Sequence, residues 1–402
     1  MGISMKNKET VLLIHNYYQI PGGEDTVVSN EKKSLEENGY EVILYTRNNV
    51  ELYQMSRARR FITLLCSNFF NWKTYYDMIR IIKEKNVDIV HVHNTLILIS
   101  PAVYYAAKRC KIPVVQTVHN FRLECPGALF YRDNRICEEC VQQGLYCAVK
   151  HKCYHNSRMQ TMAYAMSLSL HRLLGIYKTV YFICLSEFNK EKLLLLNKRK
   201  AIIAPEKVYV KPNFTFEREE HGVAEEKDYY LYMGRMDDSK GVPMLLEAFE
   251  KLPDVSLRLA GDGKNAEEYK KKAAEKRLKN ITFLGHLSKE ELQETICGSK
   301  AVIVPSQWYE TFGMVIIEAY ACHKPVLVGD IGNISLLVED GKTGYKFRYN
   351  DADALVDTIK RMEHEDRRAM GEESYKLFME KYTQKQNFEV LHQIYSDILQ
   401  VK

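Results

Sequence analysis

Glu310 and Glu318 stand eight positions apart in PSQWYETFGMVIIE, the stretch from Pro305 to Glu318, with Thr311, Phe312, Gly313 and Met314 between them. An apolar run, Ala301 to Val304, precedes this stretch, and an apolar helical pattern closes it. The spacing predicts a strand, a polar loop and then a helix. Glu310 falls in the loop, where it can reach a ligand directly, and Glu318 falls about two turns into the helix, on the face below. Thr311 to Met314 occupy the expected first turn, where unpaired N–H groups and the positive end of the helix dipole form an anion site. Carboxylates for hydroxyls beside amides for phosphate describe a nucleotide-sugar pocket. An ordinary strand-to-helix turn with two solvated glutamates fits this segment equally well.

A second segment shifts that balance. In YYLYMGRMDDSKG, Tyr229 to Gly241, an apolar run ends at Gly234 and is followed by Arg235 and, across a short acidic turn, by Lys240 and Gly241. Glycine at a strand end lets a ligand approach the backbone, and two cations near that point can hold a diphosphate and neutralise the charge that builds on it as it leaves. Surface Arg and Lys are usually only solvated. This pair gains meaning from standing about 70 residues before the glutamates in the same alternating β/α pattern.

The elements that must position these groups read as two α/β units. In the first, from about residue 10 to 210, strands are expected at Val11–His15, Glu41–Thr46, Ile89–His93, Val114–Val118 and Val180–Leu185. Helices are expected there at Asp25–Asn38, Asn71–Glu84 and Ser100–Arg109. The second begins at Tyr229 and continues through Ser256–Ala260, Ile281–Leu284, Ala301–Val304 and Pro325–Val328. Short apolar runs of this kind suit parallel strands buried on both faces. Lys211 to Lys227, with Pro212, Asn213 and a charged run, reads as the linker.

With 402 residues, 46% hydrophobic and 27% charged, the chain is globular and exceeds what one core usually supports. Its net charge of +5, from 57 Lys+Arg against 52 Asp+Glu, is too mild for a nucleic-acid partner and suits contact with an anionic membrane. Met1 to Thr10 is polar, VLLIH is too short for a signal-peptide core, and the longest apolar candidate, Met162 to Leu185, is cut by His171, Arg172 and Lys178. Lys6 replaces the Ser or Thr of a myristoylation site. A cytoplasmic protein, placed at the inner face of the membrane, is expected.

Taken in order, the motifs resemble the family-4 retaining glycosyltransferases of the GT-B fold. The pieces are Gly22, Gly23 and Glu24 after the first strand, DIVHVHN at Asp88–Asn94, QTVHN at Gln116–Asn120, GRMDDSKG, LAGDG at Leu259–Gly263, FLGH at Phe283–His286, and Glu310 with Glu318. The resemblance implies an α/β architecture of two Rossmann-like, doubly wound domains facing across a cleft. An N-terminal acceptor domain would span 1–210 with a Cys-rich insertion at about 122–156, a nucleotide-sugar domain 228–382, and a final helix within 383–402 would pack back on the first domain.

It also implies retaining transfer of a sugar from a nucleoside diphosphate to an acceptor hydroxyl, with the leaving diphosphate taking the acceptor proton and no metal needed for catalysis. His119, at a strand end, would be the catalytic histidine, its neutral imidazole donating to a sugar hydroxyl. Arg235, Lys240 and the amides near Gly313 would stabilise the leaving group. Glu310 would hold the sugar and Glu318 the ribose diol, while Gly22, Gly23 and Gly234 admit the ligand to the backbone and His286 lies near the base. His15, His91 and His93 fall in the same neighbourhood. A hydrolysing epimerase or phosphorylase of the same fold, and a non-catalytic sugar-nucleotide-binding subunit, share most of these features. A dehydrogenase fits poorly, since IPGGE replaces a spaced Gly-x-Gly-x-x-Gly.

Two segments stand apart. Cys125, Cys137, Cys140, Cys147 and Cys153 crowd into 29 residues that look too polar to order themselves by apolar burial. A structural zinc on Cys125, Cys137, Cys140 and Cys153, with Cys147 or His151 as substitutes, would supply that order, free thiols in an acceptor loop being the rival. Arg57 to Tyr76, RARRFITLLCSNFFNWKTYY, mixes basic and aromatic residues in a helical pattern that suits either a core face or peripheral contact with anionic lipid. The latter would bring the enzyme to a lipid-linked or glycan acceptor.

Overall fold

The computed structural model describes residues 8–18, 22–217 and 225–401. The polar start of the chain, Ile20 and Pro21 of the first loop, and the middle of the expected linker lie outside the described residues. The chain divides into two compact units. Met1–Leu129, Glu138–Pro212 and Asn387–Lys402 form the first, and Phe130–Cys137 with Asn213–Gln386 the second.

Six parallel strands make the first sheet: β1 (Thr10–Tyr17), β2 (Glu41–Asn48), β3 (Ile89–Asn94), β4 (Val114–Val118), and, beyond a small hairpin of β5 (Tyr131–Arg132) and β6 (Arg135–Ile136), β7 (Val180–Cys184) and β8 (Val208–Val210). The order is β2-β1-β3-β4-β7-β8. β1, β3 and β4 are buried along almost their whole length, which is why they read as apolar runs, whereas β2 lies at the edge and alternates in exposure. Helices cover both faces. One face holds Leu12, Val90, Val103, Val114 and Phe182. The other packs Val11, Leu13, Ile89 and Val115 against Leu391, Ile394, Tyr395 and Ile398 of the final helix, Gln384–Gln400.

The second sheet contains β9 (Tyr230–Met233), β10 (Leu257–Ala260), β11 (Ile281–Gly285), β12 (Val302–Val304), β13 (Val326–Gly329) and β14 (Gly344–Phe347). All neighbours are parallel, in the order β11-β10-β9-β12-β13-β14. Its core gathers Tyr230, Leu245, Phe249, Leu257, Ile303 and Leu327. Each sheet reverses direction of growth once, between β1 and β3 in the first and between β9 and β12 in the second. Loops leaving the carboxyl ends of the two strands at such a switch point diverge and leave a crevice, the usual ligand position of a doubly wound sheet.

Candidate active site

In the second unit the loops leaving β9 and β12 are joined directly. The Gln307 amide donates to the Ser239 carbonyl at 2.8 Å. Gly241 sits at φ +78°, and a Cβ there would stand 2.0 Å from the Pro305 carbonyl oxygen. Glycine is therefore required both by its backbone angle and by the close approach. This contact brings together residues 70 positions apart: Lys240 Nζ donates to Glu310 Oε1 at 2.8 Å. Ser306 Oγ donates to the same oxygen, and the Lys240 ammonium lies 5.3 Å from the centroid of the Trp308 ring. Burial pushes the Glu310 carboxyl up, but Lys240, then Ser306 and Arg235, hold it below its ordinary value. Arg235 is more exposed, 3.7 Å from Asp237, and so keeps the freedom to turn toward an anion.

The helix after Glu310 spans Met314–Ala321. The expected first turn is therefore corrected. Gly313 takes φ +112° as the residue before the helix, and Thr311, Phe312 and Gly313 belong to the loop, leaving only Met314 of that set in the first turn. The Phe312 side chain is buried, its ring stands 6.0 Å from that of Tyr382, and its carbonyl accepts from Asn333. Glu318 lies in the second turn. It has no hydrogen bond or ion pair with any described residue, and burial pushes its carboxyl up to about 7 against a weak pull from Lys289. A half-buried carboxylate without a partner is costly in isolation and well suited to accept from a diol. Gly234 ends β9 at φ +150°. His286 stands exposed at the end of the edge strand β11, with Nδ1 2.8 Å from the Leu287 carbonyl oxygen. Ser306 and Trp308 are site residues that motif reading passed over. The buried indole N–H of Trp308 has no partner among the described residues.

In the first unit, Gly22 caps the helix Gly23–Glu37, and its amide donates to Asp25 Oδ2 at 2.8 Å. His15 Nε2 meets the other Asp25 oxygen at 2.7 Å. A Cβ at Gly22 or Gly23 would meet no atom within 4 Å, so neither packing nor strain requires glycine there, and the space above the loop mouth is open. Asn94, at the end of β3, donates to Glu24 at 3.0 Å. Burial lifts the Glu24 carboxyl to about 7, while the Arg122 guanidinium draws it down. His119 follows β4 and borders a cavity of about 80 Å³ with His93, Asn94, Arg122, Tyr104 and Tyr164. Burial, reinforced by His93, holds its imidazole well below the usual value, so it is neutral. His119 Nε2 lies 2.9 Å from His93 Nδ1.

The structure gives the expected zinc site no support. Among the described residues, the groups whose ligand atoms lie within metal-binding reach of one another are Glu31–His91–His93 and His15–Glu24–Asp25, and neither includes a cysteine. Cys140 hydrogen-bonds with Cys125, and Cys153 lies close by, but Cys137 belongs to the hairpin segment of the second unit, its amide bonded to the Phe130 carbonyl. The segment is less polar than its composition suggested, with Phe121, Phe130, Cys147, Ala148 and Tyr154 each at most 5% exposed. The basic and aromatic stretch forms two helices, Arg57–Cys66 and Trp72–Glu84, the first without a single buried residue. No helix among the described residues is long and apolar enough to cross a membrane.

Comparison with known proteins gives matches along the chain. The model described as Glycosyltransferase Family 4 matches residues 21–215, and that described as Glycosyl transferases group 1 matches residues 213–377. The chain is 24% identical over 409 residues to the N-acetyl-alpha-D-glucosaminyl L-malate synthase of Bacillus anthracis, covering 95% of this chain and 96% of that protein. It is 33% identical over 181 residues to the lipopolysaccharide 1,2-N-acetylglucosaminetransferase of Salmonella typhimurium, or 41% of this chain and 47% of that one. The solved structure of Anabaena HepE in complex with UDP and glucose aligns with a TM-score of 0.66 at 16% identity, over 96% of this chain and 100% of that chain.

Proposed function

The chain belongs to the family-4 glycosyltransferases of the GT-B fold, and from that premise we propose that it moves a sugar from a nucleoside-diphosphate sugar to a hydroxyl of a glycan or lipid-linked acceptor, with retention at the anomeric carbon. The observation that carries this reading is the Lys240–Glu310 pair at the switch point of the second sheet, with Arg235 beside it. Arg235 and Lys240 hold the diphosphate and stabilise the charge it gains on leaving. Glu310, kept ionised, accepts from sugar hydroxyls, and Glu318 accepts from the ribose diol. With Glu310 committed to the sugar hydroxyls, the leaving diphosphate takes the acceptor proton, and the two side-chain cations serve where a divalent ion otherwise would. His119 and the open loop at Gly22 and Gly23 serve the reacting sugar from the first unit. Synthesis of a surface polysaccharide or glycolipid is the context that the named relatives favour.

A peripheral position at the inner face of an anionic membrane belongs to the same proposal. On the helix Arg158–Leu173, Met159, Met162, Met166, Leu170 and Leu173 are all exposed. At helical pitch they fall within an arc of about 80°. The helix Arg57–Cys66 packs beside it and adds exposed Phe61 and Ile62 with Arg57 and Arg59. Apolar groups rimmed by cations suit an interface of acyl chains and anionic headgroups.

The test is a turnover assay of purified protein with a panel of nucleotide sugars and a lipid-linked acceptor. Transfer dependent on acceptor, lost in Glu310→Gln and in Lys240→Ala, is the expected result. Release or rearrangement of the sugar with donor alone would assign the epimerase or phosphorylase chemistry instead.

A further inference from the structure

Behind His119 lies a buried line of groups that the proposed reaction does not use. His119 Nε2 is 2.9 Å from His93 Nδ1, and His93 Nε2 is 3.1 Å from Glu31 Oε1. The second Glu31 oxygen accepts from Lys211 Nζ at 2.8 Å. Glu31, His93 and Lys211 are each at most 2% exposed. His91 flanks the line, its Nδ1 2.6 Å from the Tyr395 hydroxyl and 3.1 Å from Glu31 Oε1, its Nε2 2.8 Å from the Thr117 hydroxyl. The rings of His91, His93 and His119 stack at centroid distances of 4.5 and 5.2 Å. The Lys211 ammonium already supplies Glu31 with the positive charge that a metal on this cluster would bring.

Charge fixes where the protons sit. Burial pushes the Glu31 carboxyl up, but Lys211 and then the two histidines outweigh it and hold it well below its usual range. Glu31 is thus an anion that can only accept. Among the described residues neither Glu31 Oε1 nor His93 Nε2 makes a well-aligned hydrogen bond, not even with the other, so their 3.1 Å separation is an electrostatic contact. A ring lone pair turned to a buried carboxylate at 3.1 Å would be repelled, whereas an N–H there is attracted, so His93 carries its proton on Nε2. With a single N–H, at Nε2, His93 presents Nδ1 as an acceptor, and the neighbouring His119 Nε2 must then donate to it.

We infer that Glu31, acting through His93, is a positioning residue that locks His119 in the Nε2–H tautomer, leaving Nδ1 as an acceptor. This rests on the proposed role of His119 at the reacting sugar, and it reverses the expectation that the imidazole donates to a sugar hydroxyl. The ring accepts a hydrogen bond from a hydroxyl instead of donating one, and no proton is transferred to it. The hydroxyl's own oxygen then keeps its lone pairs for the reacting centre. The arrangement follows the general rule that the partner of one ring nitrogen decides the state of the other.

Nitrogen-15 NMR of the histidine-labelled full chain reads the tautomer directly, with His119 assigned from its Ala variant. The Nε2–H form is expected in the native protein and its loss in Glu31→Gln and His93→Phe. In the transfer assay both variants should lose about 10- to 100-fold in kcat with donor KM little changed. His93→Gln, whose amide N–H and C=O are spaced like the two ring nitrogens, should recover much of the loss. Glu31→Gln strands Lys211 beside a neutral amide and threatens folding, so His93→Phe, which keeps the Glu31–Lys211 pair, decides. An Nδ1–H His119 in the native protein, or native kcat in folded His93→Phe, overturns the inference. Full turnover by His119→Ala overturns the reading beneath it, whatever the spectrum shows.

Discussion

Replacing Lys240 by methionine isolates the charge problem at Glu310. Methionine keeps much of the apolar stem that lies near the Trp308 ring and deletes the charge 2.8 Å from Glu310 Oε1. The two side chains are 19% and 14% exposed. Breaking a buried pair by removing one partner costs about 3–5 kcal/mol, and this residual exposure sets the expected loss near the lower end, about 3 kcal/mol at pH 8. The dependence on pH carries the proof. In the native protein the Glu310 value is depressed, so its contribution to stability is present above the unfolded carboxylate value and is lost as pH falls through the folded one. Without Lys240, burial is the dominant influence left, and the folded-state value rises above the unfolded one. The folded variant then binds the proton more tightly, and its deficit is small near pH 4 and grows with pH, by about 1.4 kcal/mol for each unit of rise. Glu310→Gln leaves Lys240 partly solvated on the Trp308 face and should cost about 1–2 kcal/mol. The double variant should lose about 2–3 kcal/mol, less than the sum of the two single losses by a coupling on the order of 2 kcal/mol. Denaturant midpoints of the four proteins at pH 5 and pH 8 measure both effects. A Lys240→Met deficit equal at the two pH values, together with additive single effects, would refute the claim that Lys240 holds Glu310 ionised.

Glu318 should behave in the opposite sense. With its carboxyl pushed up to about 7, stability is fullest below the unfolded value of 4.5 and is lost as pH rises through 7, so Glu318→Gln raises the unfolding midpoint at pH 8.5, leaves it unchanged at pH 4, and weakens donor binding about tenfold. An identical gain at both pH values would contradict this. Gly241→Ala should lose about 1–3 kcal/mol from backbone strain alone, and more from the clash with Pro305, with donor affinity falling as the Ser239–Gln307 contact opens. Thermal unfolding and donor titration read both, and an unshifted Tm sinks the argument. Met162→Glu with Leu170→Glu should reduce sedimentation with anionic vesicles at least tenfold, each lost apolar side chain being worth about 1.5–3 kcal/mol if buried in the bilayer surface. Undiminished binding by the double variant would remove the stripe from the interface.

Much of the fold is written in short apolar runs because parallel strands buried on both faces tolerate little else. Val114–Val118 is observed as expected, and the other anticipated strands differ by one or two residues at their ends. β8 and β14 escape such a reading. The first is three residues long at a sheet edge, and the second, GYKF, carries a lysine and opens with glycine. Gly313 misleads differently, since its left-handed backbone angle stops the loop one residue before the helix and takes Thr311 and Phe312 out of the first turn. That Lys240 and Glu310, 70 residues apart, belong to one neighbourhood was legible because both follow strands of the same alternating pattern, whereas their direct ion pair was not. Nor was Glu31. It lies in GEDTVVSNEKKSLEE among residues typical of a solvated helix face, and its burial shows only once His91, His93 and Lys211 are placed around it. The alternation of His91 and His93 in a strand buried on both sides was the available signal, because two imidazoles at a spacing of two share one face and must find polar partners there. The cysteine spacing suggests a metal while giving no account of the aromatic side chains buried in the same segment.

The two glutamates of the second unit show how one residue type takes two states within eight positions. Glu310 is buried against a cation and stays ionised, while Glu318, buried without one, has a carboxyl lifted toward neutrality. The pairing also shapes what ligand can bind. An anion that draws Lys240 away strips Glu310 of its cation, and the carboxylate then bears the cost of burial unless something else donates to it. Sugar hydroxyls are such donors. A ligand presenting phosphate and hydroxyls together exchanges one internal ion pair for two sets of charge-assisted hydrogen bonds, whereas phosphate alone must break the pair and leave half of it unsatisfied. If the proposed roles of Lys240 and Glu310 hold, selectivity for a sugar joined to a diphosphate follows from a contact made when neither is present.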